Sequence, residues 1–153
     1  MKTKPIEKIT IEEMTAKAGV GRTTYFRYFR NKDQVLLFKL ICMFEDDLKE
    51  RGLDYQNLPE DEGGKNILEF FARHQDVVQE IYKAGRKSVL LDFFLKLIEP
   101  EKEKAALQNS IKAYYLGEIF SYICFGFFNA WVERDFAETP DELTLLLQQP
   151  AAQ

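Results

Sequence analysis

An all-α fold is predicted, and three observations carry the prediction. No stretch of the 153 residues alternates apolar and polar residues for long enough to argue a strand. Apolar residues recur instead at three- and four-residue spacing, the period of a helix that buries one face. Helix-start signals punctuate that pattern at Thr10 with Glu13, Asn31 with Gln34, and Thr139-Pro140 with Glu142. A hydrophobic content of 46% with thirteen phenylalanines is enough for a core, in one large domain or in a small domain sharing its core with a larger one.

Taken in order, Thr10 and Glu13 form a capping box that opens a first helix, and Gly19 supplies the left-handed residue that closes it. After the turn Gly19-Val20-Gly21, a second helix of about two turns starts at Arg22. At 100° per residue, Tyr25 and Phe29 share one side of it and Thr23, Thr24, Arg27 and Tyr28 the other. Two short helices around a glycine turn make a helix-turn-helix whose first side packs and whose second is free. Asn31 and Gln34 then open a long helix to about Glu50, with Leu37, Leu40, Ile41, Phe44 and Leu48 at core spacing and Gly52 at its end.

Residues 52 to 64, with Pro59 and four acidic residues, read as a surface loop or short linker. One helix is expected over 65 to 84, with Ile67, Phe70, Phe71, His74, Val77, Val78, Ile81 and Tyr82 on one face and Gly85 as its stop. A largely buried helix follows from Lys87 to Ile98, broken at Pro100. Residues 101 to 135 are expected to be helical in two pieces, with the boundary near Asn109 or Ser110. The last short helix has proline at its first position. Residues 119 to 132 are fourteen uncharged residues, too few for the about twenty that cross a bilayer, so no membrane partner is expected.

Charge divides the chain. The formal net charge of −4 resolves into +5 over residues 1 to 39 and −9 over the remainder. A basic end that holds the helix-turn-helix is the electrostatic footprint of phosphate binding, and the acidic remainder would repel DNA. The division suggests residues 1–38 as a DNA-binding part and 39–153 as a helical regulatory and dimerisation domain.

Residues 9 to 40 resemble the DNA-binding motif of the TetR family of transcriptional repressors. The family signature runs roughly T-x-x-x-I-A-x-x-A-G-V-S-x-x-T-x-Y-x-x-F-x-x-K. Thr10, Ala18, Gly19, Val20, Thr24, Phe29 and Lys32 fall on its positions, while Met14, Thr15, Gly21 and Phe26 replace the usual Ile, Ala, Ser and Tyr. Residues 131 to 134 and 139 to 143 are similar to the close of the regulatory domain in some members. The opening residues are too short and polar for the family's leading helix, the largest departure from the pattern.

The resemblance implies a TetR-like all-α fold, a short helix-turn-helix part followed by a ligand-binding and dimerisation domain. It also implies DNA contact at Thr10, Phe26, Tyr28 and Lys32, with Phe26 lacking the hydroxyl that the family's tyrosine gives to a phosphate. Arg22, Thr23, Thr24 and Arg27 face outward on the second helix, where Arg takes a guanine edge in two bonds and Thr meets a phosphate or a thymine methyl. By the same resemblance a small-molecule inducer is expected in the helical domain, with Phe71, His74, Tyr82 and Phe94 as candidate lining residues.

A homodimer is expected from the helix around residues 113 to 134. Leu116, Phe120, Ile123, Phe127 and Trp131 form an apolar stripe assigned to the chain's own core. The mixed stripe of Tyr122, Phe125, Asn129 and Val132, with Gly117, Ser121 and Phe128 and with Leu143 and Leu147 of the last helix, is assigned to the interface. A twofold dimer implies double-stranded DNA with a near-palindromic operator.

Enzymatic motifs are missing from the sequence: one histidine, no GxSxG, no P-loop, no dinucleotide fingerprint and no HExxH. A non-enzymatic protein without cofactor or metal is expected. Cys42 and Cys124 match no metal-binding spacing and read as reduced core residues in a cytoplasmic protein. The sequence leaves open a ligand-sensing or protein-interaction relative without DNA binding, and an unrelated helical scaffold carrying a similar local motif.

Overall fold

The computed structural model describes residues 4–54, 57 and 62–149, and every regular element among them is helical. A 3-10 turn, Ile6–Lys8, precedes α1 (Ile11–Ala18), α2 (Arg22–Tyr28) and the long α3 (Lys32–Glu50). The remaining helices are α4 (Gly63–Arg73), α5 (Gln75–Lys83), α6 (Ser88–Leu107), α7 (Ile111–Glu133) and α8 (Pro140–Gln148). Most of the expected loop between Gly52 and Gly64 lies outside the described residues.

The predicted caps are formed. Both Thr10 with Glu13 and Thr139 with Glu142 close reciprocal capping boxes, and Asn31 accepts the N–H of Gln34 at 3.0 Å. Gly19, Gly52 and Gly85 end α1, α3 and α5 with φ near +68°, +68° and +66°, a region that glycine enters without the Cβ penalty.

The core gathers Leu40, Phe44 and Leu48 of α3 against Phe70 and Phe71 of α4, Val89, Leu90 and Phe93 of α6, and Phe128 and Trp131 of α7. α3 therefore has two attachments. Its last turns lie in the core of the helical body, and its first turns carry α1 and α2.

Two element boundaries differ from expectation. Residues 65 to 84 form two helices, because His74 adopts φ −118° and ψ 33° and separates α4 from α5. No glycine or proline announces that break. The His74 ring lies 4.8 Å from the Phe70 ring, one helical turn earlier. Pro100, expected to end a helix, lies inside α6. It removes one donor to the carbonyl four residues earlier. Packing on α7 offsets that loss: Ala105 is buried, and Lys102 pairs with Glu118 and lies 4.6 Å from the Tyr114 ring.

The two stripes of α7 are exchanged only in part, since Phe127 and Trp131 of the stripe assigned to the core do pack there. Ser121, Phe128 and Val132, assigned to an interface, are buried within the chain, as is Leu143 of α8, and Phe125 packs partly covered against the same core. Gly117 is not open for a partner, because an added Cβ there would meet Lys102 Cγ at 3.2 Å. The polar groups that suggested an interface are satisfied internally. The Ser121 hydroxyl donates to the Gly117 carbonyl at 3.1 Å, and Asn129 accepts from the Tyr82 hydroxyl and donates to Glu133, both at 2.9 Å. Tyr122 and Leu147 are exposed, as are Leu116, Phe120 and Ile123, three members of the stripe assigned to the core; Trp131 of that stripe is buried.

Candidate nucleic-acid interface

The α1, turn and α2 unit is a small body fixed from below. Thr10 Oγ1 accepts the Glu13 N–H at 3.1 Å while Glu13 Oε2 accepts the Thr10 N–H at 2.8 Å, so Thr10 is committed to the cap by both groups. Tyr25 is buried beneath α2, with its ring 5.8 Å from Phe29, and Phe29 lies 5.7 Å from Phe38 of α3. This aromatic row seats α2 on the first turns of α3.

Above the row, Arg22, Thr23, Thr24, Phe26, Arg27 and Tyr28 are all exposed, Tyr28 by 69%. They make one outward surface with two cations and hydroxyl donors, the groups that suit phosphates and base edges. Lys32 is partly covered, and its Nζ donates to the Glu7 carbonyl at 3.3 Å. It stands at the start of α3, where helix amides also favour an anion.

Glu12 belongs to this surface although its spacing gave no sign of it. Its carboxylate lies 2.7 Å from Arg22 Nη1, and the Arg22 guanidinium sits 5.9 Å from the centre of the Phe26 ring. Arg22 is thus held between α1 and its own helix. Its own backbone N–H first, and Arg22 second, hold the Glu12 carboxyl below the ordinary range.

The order Tyr25-Phe26 has a structural cost. Among the described residues the Tyr25 hydroxyl is buried without a partner, and burial pushes its pKa up, while the exposed neighbouring ring carries no hydroxyl. Phe26→Tyr is expected to tighten DNA binding by about 0.5 to 1.5 kcal/mol, and Tyr25→Phe to be neutral or stabilising. A fluorescence titration with DNA and a urea melt check the two halves. Unchanged affinity in Phe26→Tyr would mean that no phosphate lies beside this ring.

The residues expected to line a ligand cavity are packed or engaged within the fold. Phe71 and Phe94 fill the core themselves, with Phe71 4.5 Å and Phe94 5.7 Å from Phe128. His74 lies at the α4 and α5 junction. Tyr82 is engaged with Asn129, and burial, with Glu133 nearby, pushes its pKa up to about 12, so it stays a neutral donor. Open space lies elsewhere. A groove of about 450 Å³ runs between α3 and α6 over Ile41, Phe44, Leu48, Leu97 and Pro100. Another of about 490 Å³ lies between α7 and α8, over Phe127, Ala130 and Leu146.

Among the described residues no group of histidine, cysteine or acidic side chains is placed to hold a metal ion, and no helix is long and apolar enough to cross a membrane. Comparison with known proteins finds that residues 61–152 match a TetR family model described as a transcriptional regulator C-terminal region. No curated protein and no solved structure matches the chain. The family match covers α4 to α8, more than half of the chain, and with the all-helical architecture it settles the class. The chain belongs to the TetR family of transcriptional regulators.

Proposed function

We propose that the chain is a cytoplasmic, homodimeric, non-enzymatic regulator that reads a near-palindromic operator through α2 and acts as a repressor released by a small molecule. Residues 1–38 would bind DNA and 39–153 would sense the ligand and dimerise. The observation that carries the reading is the exposed row of Arg22, Thr23, Thr24, Arg27 and Tyr28 on a helix seated by a buried aromatic row, at the basic end of an acidic chain. For the inducer, the groove between α3 and α6 replaces the filled aromatic core as the candidate space; its volume falls within the range of about 300 to 1,000 Å³ common to small-molecule sites. It touches α3, the helix that carries α1 and α2, so an occupant could act on both ends.

Titrating labelled DNA from upstream of the host gene tests the reading. Saturable binding that resists non-specific competitor supports it, and binding no tighter than to random DNA removes it. Within that assay Lys32→Ala is expected to weaken all sequences alike and to flatten the salt slope by about one unit. Arg22→Ala is expected to cost about 1 to 3 kcal/mol and to relax preference at one base position. Equal effects of both variants on every sequence would remove the base-reading role of Arg22.

A further inference from the structure

One charged contact serves neither the core nor the DNA-facing surface. Asp33, in the first turn of α3, pairs with Arg86, in the turn between α5 and α6, across 53 residues of sequence. Both side chains are about two-thirds or more covered, so the pair is better shielded than most surface pairs.

Its position gives it leverage. Gln34 accepts the Arg30 N–H at 2.7 Å and donates its own N–H to Asn31, which ties the exit of α2 to the first turn of α3. Asp33 sits inside that tie. Arg86 belongs to the helical body: its N–H donates to the Ile81 carbonyl at 3.1 Å and closes the end of α5 just after Gly85. Beside the packing of Ile6, Leu36 and Leu37 against the core, this pair ties the first turn of α3, which carries α1 and α2, to the turn that leads into α6. Among the described residues, Arg86 Nε is buried with no acceptor.

We propose that Arg86, by holding Asp33, sets the angle at which α1 and α2 stand on the helical body. Arg86 and Asp33 are then positioning residues for DNA binding, a role that rests on the reading of α2 as the DNA-reading helix. Loss of the pair leaves α3 helical and loosens its first turns, which then rest on the packing of Ile6, Leu36 and Leu37 against the core.

The test uses the full chain with Cys42→Ser and Cys124→Ser, and with nitroxides attached through Lys17→Cys on α1 and Glu80→Cys on α5. Labelled chains are diluted into unlabelled protein, so that pulsed electron resonance reads distances within one chain. Arg86→Gln and Asp33→Asn should each broaden the distance distribution, and the double variant should broaden it no further than either single one. Arg86→Lys should restore part of the narrow distribution. Operator affinity should fall about tenfold in Arg86→Gln. An unchanged distribution in Arg86→Gln, or additive broadening in the double variant, overturns the proposal. If Arg86→Gln fails to fold, Asp33→Asn and Arg86→Lys carry the same comparison. The distance readout uses no DNA, so a parent that binds no operator yet broadens on loss of Arg86 removes the DNA reading and keeps the latch.

Discussion

Trp131→Ala is expected to lower folding stability by about 3 to 5 kcal/mol, the largest single loss the core offers. The indole is 2% exposed, 4.8 Å from the Phe136 ring and 6.3 Å from Phe128. Its Nε1–H donates to the Glu138 carbonyl at 2.9 Å, so truncation leaves both a cavity and a partly buried acceptor without its donor. The turn beneath it adds to the loss. Asp135 and Phe136 both hold positive φ, 53° and 54°, a region that costs a non-glycine residue of order 1 kcal/mol or more. The Trp131 and Phe136 contact holds that turn, and the turn delivers α8 to α4. Urea unfolding at fixed protein concentration checks the loss, and hydrogen exchange should show α8 opening before α6. Trp131→Phe should retain most of the stability, since it keeps an aromatic ring and loses only the indole N–H and part of the volume. A loss below 1 kcal/mol in Trp131→Ala would mean that α8 is not anchored through this ring.

How far the sequence led is decided by range. Thr10 with Glu13, Asn31 with Gln34, Thr139 with Glu142, and the glycines after α1, α3 and α5 act within four residues, and each was readable where it stood. The outward face of α2 was equally local, because one helical turn separates Tyr25 from Phe29 and both point to α3. His74 and Pro100 are different. The break at His74 has no local breaker, and Pro100 stays inside a helix because α7 packs along it. Arg86 and Asp33 are 53 residues apart, and no spacing rule links them. The Glu12 and Arg22 pair crosses a turn whose angle the sequence does not state. For the ligand site, aromatic periodicity could not separate a cavity wall from a filled core; ring distances of 4.5 to 5.7 Å around Phe128 show the latter.

The α7 stripes show the same limit in its sharpest form. Periodicity found two apolar faces almost opposite each other, and composition ranked them by their polar members. Asn129 lies in the mixed stripe and Ser121, a short residue, beside it, and both are thereby assigned to an interface. In the folded chain each bonds within its own surroundings, to Gly117, and to Tyr82 and Glu133, and their polarity no longer argues for exposure. Ranking the faces needed those partners, one of which lies 47 residues away.

Ile123→Glu is therefore expected to separate a dimer, in place of any change at Phe125, which packs against the core and would unfold the chain if charged. Ile123 is 62% exposed, and Leu116, Ile119 and Phe120 beside it are more than half exposed. Leu116, Ile119, Ile123, Gly126 and Ala130 follow one another by three and four residues, the seam that a partner helix fits, and the last two are small enough for close approach. Leu146 and Leu147 of α8 are exposed as well. A monomer rarely leaves a contiguous apolar patch much larger than a few hundred Å² in water, so two copies pairing through α7 and α8 is the arrangement we propose. A glutamate at Ile123 would place a charge in that seam with no partner across it. The isolated chain should keep its helix content and lose no more than about 0.5 kcal/mol, because the parent side chain makes few contacts within the chain. Sedimentation at micromolar concentration should show the parent as a dimer and Ile123→Glu as a monomer. Operator binding should fall by about 10² to 10⁴, the advantage of holding two DNA-reading helices together at half-sites roughly 34 Å apart. A parent that sediments only as monomer removes the interface and the palindrome with it; an Ile123→Glu chain that stays dimeric moves the interface to another face.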